Sequence, residues 1–142
     1  MKIRNERQYQ IAQKASAASE AGVEKVRSTA RSLPPEIGAA QVDLYLSEIQ
    51  ALKSEIAEYE GIRDGRVPIT IHGISDLPEA LIRMRIQRRW TQAELARRLG
   101  VPEQQVQRWE ESDYRGAKLE TVDRVADALG MTVAVTAEVA AR

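Results

Sequence analysis

A chain of 142 residues has room for one ordinary domain or two small ones. Hydrophobic residues make up 43% of it, but aromatics only 4%, and Phe is absent. Any core is therefore built from Ala, Leu, Ile and Val, and small separate cores are expected in place of one large one. Lys plus Arg and Asp plus Glu each number 21, which excludes an overall basic bias and, at the level of the whole chain, argues against a nucleic-acid partner. Cysteine is absent, which excludes a disulfide framework and a thiolate metal site and fits a reducing compartment. The N-terminus MKIRNERQYQ has no apolar leader core, and no run approaches the roughly 18 apolar residues of a membrane span. The expectation is a soluble cytoplasmic protein with no membrane partner.

In chain order, residues from about Glu6 to Ala30 hold no Pro and one Gly and read as a helix. Its seam, Tyr9, Ala12, Ser16, Ser19, Val23 and Val26, alternates by three and four but is thinly apolar. Pro34 and Pro35 break it, because a proline disfavours helix in the residue before it. A stronger helix follows from about Pro35 to Gly61, with the seam Val42, Tyr45, Ile49, Leu52, Ile56 and Tyr59. Two helices joined by a short Pro turn are expected to fold back as an antiparallel, coiled-coil-like hairpin over residues 1–64. The stretch GIRDG at Gly61–Gly65 reads as a hinge. The hinge region extends over residues 65–75, where Val67 to His72 is rich in β-branched residues and is expected to form a short strand, with Pro68 suited to an edge.

Residues 76–142 read as a second domain. Asp76, with Glu79 three residues on, predicts a capping-box start for a helix from Leu77 or Pro78 to about Arg88. Gln92 to Leu99 is a short helix with Leu95, Ala96 and Leu99 on one face, ended by Gly100, which can take the left-handed conformation. Pro102 suits the start of the next helix, which has Val106 and Trp109 inward and Glu103, Gln104, Gln107 and Arg108 outward. A loop at Ser112–Ala117 leads to a helix over Lys118–Leu129 stopped by Gly130. The tail from Met131 to Val139 alternates β-branched residues and predicts a strand. The fold class expected is mainly α, with an N-terminal hairpin, a helix-turn-helix domain of four to five helices, and a short C-terminal β-strand.

Ala96, Gly100 and Val106 stand at the offsets of a helix-turn-helix, in which a small residue lets two helices approach and an apolar one fills the angle between them. The residues Arg85, Thr91-Gln92, Leu95-Ala96, Gly100-Val101, Val106, Glu110 and the closing Val125-Ala126-Asp127-Ala128-Leu129-Gly130 extend the pattern. With them, Leu81 to Met131 resembles the DNA-binding domain of the XRE family, of the Cro and phage-repressor type. Local charge agrees with that resemblance: between Asp76 and Trp109 there are seven Arg against four acids.

An α-helix fits the major groove, and outward side chains near its N-terminal end meet base edges. Here those are Glu103, Gln104, Gln105 and Arg108. Gln pairs with adenine, Arg with guanine, and Glu accepts from a cytosine amino group. The resemblance puts base reading on the same face, at Glu103, Gln104 and Arg108, and puts Gln92 against a phosphate. It also makes the loop after this helix the one that rides the sugar-phosphate backbone, through Tyr114, Arg115 and Lys118, and makes Arg85 and Glu110 an ion pair inside the domain. The chain departs from the family in two places. Arg89 stands where the first helix usually ends in Gly, and Pro102 replaces a Ser or Thr cap, followed by an acidic Glu103. Dimerisation on a palindromic operator would compensate for modest affinity per subunit, with two domains spaced about 34 Å apart on the duplex. The tail is similar to the C-terminal strand of HipB-type antitoxins, which implies pairing of Thr132, Val133, Ala134 and Val135 between two subunits. The hairpin looks like the helical extension of some HigA-like regulators.

The function expected is therefore a sequence-specific transcriptional regulator, most simply a repressor, acting on double-stranded DNA as a homodimer. One alternative is an antitoxin that neutralises a toxin protein, held by the hairpin or tail, and represses its own operon. The other is a protein-binding adaptor that does not bind DNA. No nucleophile, base and orienting group converge and no phosphate loop or ligand cluster is present, so neither catalysis nor a cofactor is expected. His72 is the single histidine and reads as a strand residue, with no metal site expected. Glu55, Glu58 and Glu60 read as a solvated helix flank. Trp90 and Trp109 read as core wedges, and Arg83, Arg88, Arg89, Arg97 and Arg98 as solvated helix faces of which some touch phosphate.

Overall fold

The computed structural model describes residues 3–141, and among them the chain forms six α-helices, one 3-10 turn and no β-strand. The chain divides into two compact units, Met1–Gly61 and Ile62–Arg142.

The first unit is a helical hairpin of α1 (Glu6–Ala30) and most of α2 (Pro35–Arg63). Asn5 starts α1: its backbone is extended and its side chain accepts from the Gln8 amide at 2.9 Å, satisfying one of the free donors of the first turn. Early residues of α1 meet late residues of α2, which makes the pair antiparallel. The Tyr9 ring stacks on Tyr59 at 5.1 Å and its hydroxyl donates to Glu60, Glu20 pairs with Lys53, and the Tyr45 hydroxyl donates to the Ser19 carbonyl at 2.9 Å. At the turn, a Cβ on Gly38 would sit 2.5 Å from the Ala30 carbonyl oxygen, so only glycine allows this approach of α2 to the end of α1. The α1 seam is built of small side chains, with Ala12 and Ser16 buried beside Tyr9. It leaves an open groove of ≈430 Å³ along Gln13, Ser16, Ala17, Lys53, Ile56 and Ala57.

The second unit holds a 3-10 turn (Ile74–Asp76), α3 (Leu77–Gln87), α4 (Gln92–Leu99), α5 (Glu103–Glu111) and α6 (Leu119–Ala128). Helix α4 packs on α5 and α6, and α3 packs on α6. Leu81, Ile82, Ile86, Leu95, Val106, Val125 and Leu129 form a closed aliphatic core. Ile62, from the last turn of α2, is fully buried as well.

Three expectations are corrected here. Helix α2 runs through Gly61 to Arg63, because Ile62 is a core residue that the helix has to deliver. Asp64 just beyond it accepts from Arg63, Arg66 and Arg89, so this part of the expected hinge is tied down. Asp76 does not cap α3: its own backbone is helical, and its carboxylate accepts from the His72 and Gly73 amides at 2.8 and 3.2 Å, leaving Glu79 to pair with Arg83. Neither expected strand forms, at Val67–His72 or in the tail from Met131. β-Branched alternation favours extended backbone, but a strand exists only against a partner edge. Among the described residues of this chain neither segment has one.

Candidate nucleic-acid interface

Helix α4 starts at Thr91, whose backbone is extended and whose side chain accepts from the Glu94 amide at 3.0 Å. It ends at Gly100 with φ 68° and ψ 33°, where the Gly100 and Val101 amides return to the Arg97 and Ala96 carbonyls. A Cβ at Gly100 would meet nothing within 4 Å, so the glycine is required by the left-handed backbone and not by crowding. Pro102 then presets an extended N-cap, and α5 leaves at an angle fixed by Ala96 and Val106, both buried.

Helix α5 buries Val106 and Glu110 and turns Glu103, Gln104 and Arg108 to solvent. Gln105 is half-buried on the flank of that face. Gln107, outside the predicted base-reading set, donates its side-chain amide to the Glu103 carboxylate at 3.3 Å, which partly satisfies the acid nearest the N-terminal end. The exposed face thus offers amide and guanidinium donors together with carboxylate and amide acceptors, a set that matches base edges.

Beneath this face lies a buried polar network. Arg85 and Glu110 are 2% and 1% exposed. Two parallel bonds of 2.6 Å join Arg85 Nε and Nη2 to the two Glu110 oxygens, and Arg85 Nη1 donates to the Trp90 carbonyl at 2.9 Å. The fork geometry of guanidinium on carboxylate makes this the strong form of ion pair. Gln92 Nε2 donates to Glu110 Oε2 at 2.8 Å. Half of the Gln92 amide is thus committed inside the domain, at the first residue of α4.

The loop after α5 places its candidates unequally. Arg115 and Lys118 are exposed. Tyr114 is not: it is 4% exposed, stacked on Trp109 at 6.3 Å between ring centroids, and its hydroxyl has no hydrogen-bond partner among the described residues. A phenol enclosed in this way cannot ride on a sugar-phosphate backbone, and the expected contact is withdrawn. Thr132, Val133, Ala134 and Val135 lie exposed in the tail, outside any helix or strand.

Several contacts went unread in the sequence. Glu94 accepts from Arg97 and Arg98 on its own helix at 2.7–3.0 Å. Their hydrogen bonds and charges, Arg97 foremost, hold its carboxyl down to about 2. The i, i+3 and i, i+4 spacing of Glu94, Arg97 and Arg98 was the available signal. Arg98 also stacks on Trp90 at 3.9 Å, and Arg124 Nη2 donates to the Leu99 carbonyl at 3.0 Å, so α6 helps to close the turn between α4 and α5. Arg89, standing where the family has glycine, takes the left-handed backbone itself at φ 57°.

Residues 81–135 match a helix-turn-helix family model. Over this stretch the chain is similar to the XRE-type helix-turn-helix. The matched stretch runs from within α3 through α6 into the start of the tail, and α4, the Gly100 turn and α5 stand in the place of its bihelical motif. Domains of this class bind DNA in transcription regulation. Comparison with curated proteins and with solved structures gave no match. None of these comparisons bears out the expected resemblance of the hairpin and tail to HigA- and HipB-type proteins.

Proposed function

We propose that the protein is a transcriptional repressor that binds a palindromic operator as a homodimer, with α5 of each copy in the major groove. The observation that carries this reading is the exposed face of α5, Glu103, Gln104 and Arg108, held on a core locked by the buried Arg85–Glu110 pair. Arg108 reads guanine through two parallel hydrogen bonds and Gln104 reads adenine, each worth about 1–3 kcal/mol of discrimination. Glu103, braced by Gln107, accepts from a cytosine amino group, and Gln105 reaches a neighbouring base from the flank. Gln92 offers a phosphate the second N–H of its Nε2, the first being donated to Glu110, and Arg115 and Lys118 hold the backbone beyond α5. Contacts of the second kind position the domain without reading sequence.

The tail residues Thr132 to Val135 serve dimerisation, which supplies the missing partner edge. Residues 1–64 serve self-association or partner binding and 65–75 join them to the DNA-binding domain at 76–142. The hairpin leaves Ile11, Ile37 and Leu44 more than half exposed, apolar surface that favours a protein contact. This feature also supports the antitoxin reading, in which the hairpin covers a toxin while the same domain represses the operon. A toxin-sized reading frame beside the gene, with a product that co-purifies with the hairpin, would establish that version.

Two substitutions test the assignment of roles. Arg108→Ala should lose about 1–3 kcal/mol of discrimination at one operator position with little change in melting temperature, whereas Lys118→Ala should weaken all duplexes alike and reduce the salt slope by about 1. An Arg108→Ala protein that ranks every operator base change as the parent does would remove the base-reading role.

A further inference from the structure

The loop between α5 and α6 has three residues in left-handed backbone: Asp113 at φ 52°, Tyr114 at φ 56° and Gly116 at φ 74°. Consecutive non-glycine residues in this region are uncommon and persist only where the surroundings over-determine them. Here the surroundings converge on Tyr114. Its amide donates to the Trp109 carbonyl at 2.6 Å, closing the end of α5, and its carbonyl accepts from the Ala117 amide at 3.1 Å, starting the next turn. Its ring lies at 23° to the Trp109 ring and is enclosed. The hydroxyl makes no hydrogen bond among the described residues. Burial, and secondarily the Glu110 charge, push its titration above the ordinary phenol range against the opposing effect of Arg85, so the group stays neutral. What the loop uses is the ring.

We propose that Tyr114 is a positioning residue for DNA binding: clamped on Trp109, its ring fixes the loop bearing Arg115 and Lys118 in register with the base-reading face of α5. Arg115 follows it directly and Lys118 ends the same loop as the N-cap of α6. Backbone contact and base contact then succeed or fail together, because one side chain sets the spacing between them. This assignment rests on the DNA-binding reading above and adds a requirement that a merely structural tyrosine would not meet.

The test is a cycle of duplex-binding measurements over a salt series, using the full chain with Tyr114→Phe, Tyr114→Leu, Lys118→Ala and the Tyr114→Leu/Lys118→Ala pair. Tyr114→Phe keeps the ring and should retain parental affinity and salt slope. Tyr114→Leu should weaken binding about tenfold and lower the slope by about 1–2, since each lost phosphate contact removes about 0.9. In that background Lys118→Ala should add less than about a twofold effect, because the contact is already lost. Trp109→Leu, which removes the other ring, enters the same cycle if Tyr114→Leu melts without cooperativity. An unchanged slope in the leucine variants, with a full independent effect of Lys118→Ala, would overturn the positioning role while leaving DNA binding in place. A parental protein with no salt-dependent duplex binding would overturn both.

Discussion

Glu94 and Glu110 are both paired with arginine, yet their surroundings make them do different things. Glu94 lies at the surface, and its carboxyl is held from 4.5 down to about 2 by Arg97 and Arg98. A carboxylate depressed in the folded state contributes stability that is complete above its unfolded pKa and lost as pH falls through the folded one. The contribution of Glu94 should therefore be intact above pH 4.5 and disappear towards about pH 2. Thermal melts across that range should show a shallower acid decline for Glu94→Gln than for the parent, and identical curves would rule the pair out as a source of acid sensitivity. Glu110 is enclosed, so removing it strands the Arg85 charge together with the Gln92 amide. Glu110→Ala should cost about 3–5 kcal/mol in denaturant unfolding; a loss below about 1 kcal/mol would mean that water replaces the carboxylate. The legibility of the two differs as well. The Glu94 contacts follow from helical spacing and could have been read locally. Arg85 and Glu110 stand 25 residues apart, and nothing in local spacing pairs them; only the resemblance to repressor domains suggests that they meet. Tyr114 was misplaced for a related reason, since a loop tyrosine beside Arg115 and Lys118 has no neighbour in sequence that reports the Trp109 ring above it.

At the scale of elements, periodicity was enough to place the helices. The seams of α1 and α2, the Gly100 stop and the Gly130 stop each combine a local conformational preference with a burial pattern, and both act over a single turn. Capping was less legible. Asp76 has the right type and spacing for a capping box, but a competing turn at His72–Gly73 takes its carboxylate. The two β-branched segments mark the limit of local reading, because alternation specifies a face and sheet formation needs a second edge. The hairpin turn rests on one residue with no room to change. Gly38→Ala drives a methyl into the Ala30 carbonyl, with a separation of 2.5 Å that backbone cannot relieve by rotation. Overpacking of this kind should cost about 1–3 kcal/mol, measured as reduced helicity and an earlier transition of the hairpin. An unaltered melt would mean that α2 can slide away from α1 without penalty.

For the whole molecule, formal neutrality conceals an uneven distribution of charge. The chain carries equal numbers of cationic and acidic side chains, and an overall count gives no hint of a polyanionic partner. From the start of α3 to the end of α5 stand Arg83, Arg85, Arg88, Arg89, Arg97, Arg98 and Arg108, while α6 carries Glu120, Asp123 and Asp127 against Arg124. Several of these arginines are already engaged within the domain: Arg85 with Glu110, Arg89 with Asp64, and Arg97 and Arg98 with Glu94. Affinity for DNA should then depend on a small number of free cations and on dimerisation, and discrimination on the few side chains of α5. Under the proposed function the two compact units would divide this work, the helix-turn-helix unit binding DNA and the hairpin offering its exposed apolar side chains to a protein. No described helix is long and apolar enough to cross a membrane.

The most direct test is to titrate the purified protein against the duplex immediately upstream of its own gene and a scrambled duplex of the same composition, over a series of salt concentrations. The account predicts a preference for the upstream duplex of about 10³-fold or more, with affinity falling linearly in logarithm as salt rises. Equal weak binding to the two duplexes, or none to either, would contradict it and leave the helix-turn-helix domain as a protein-binding module.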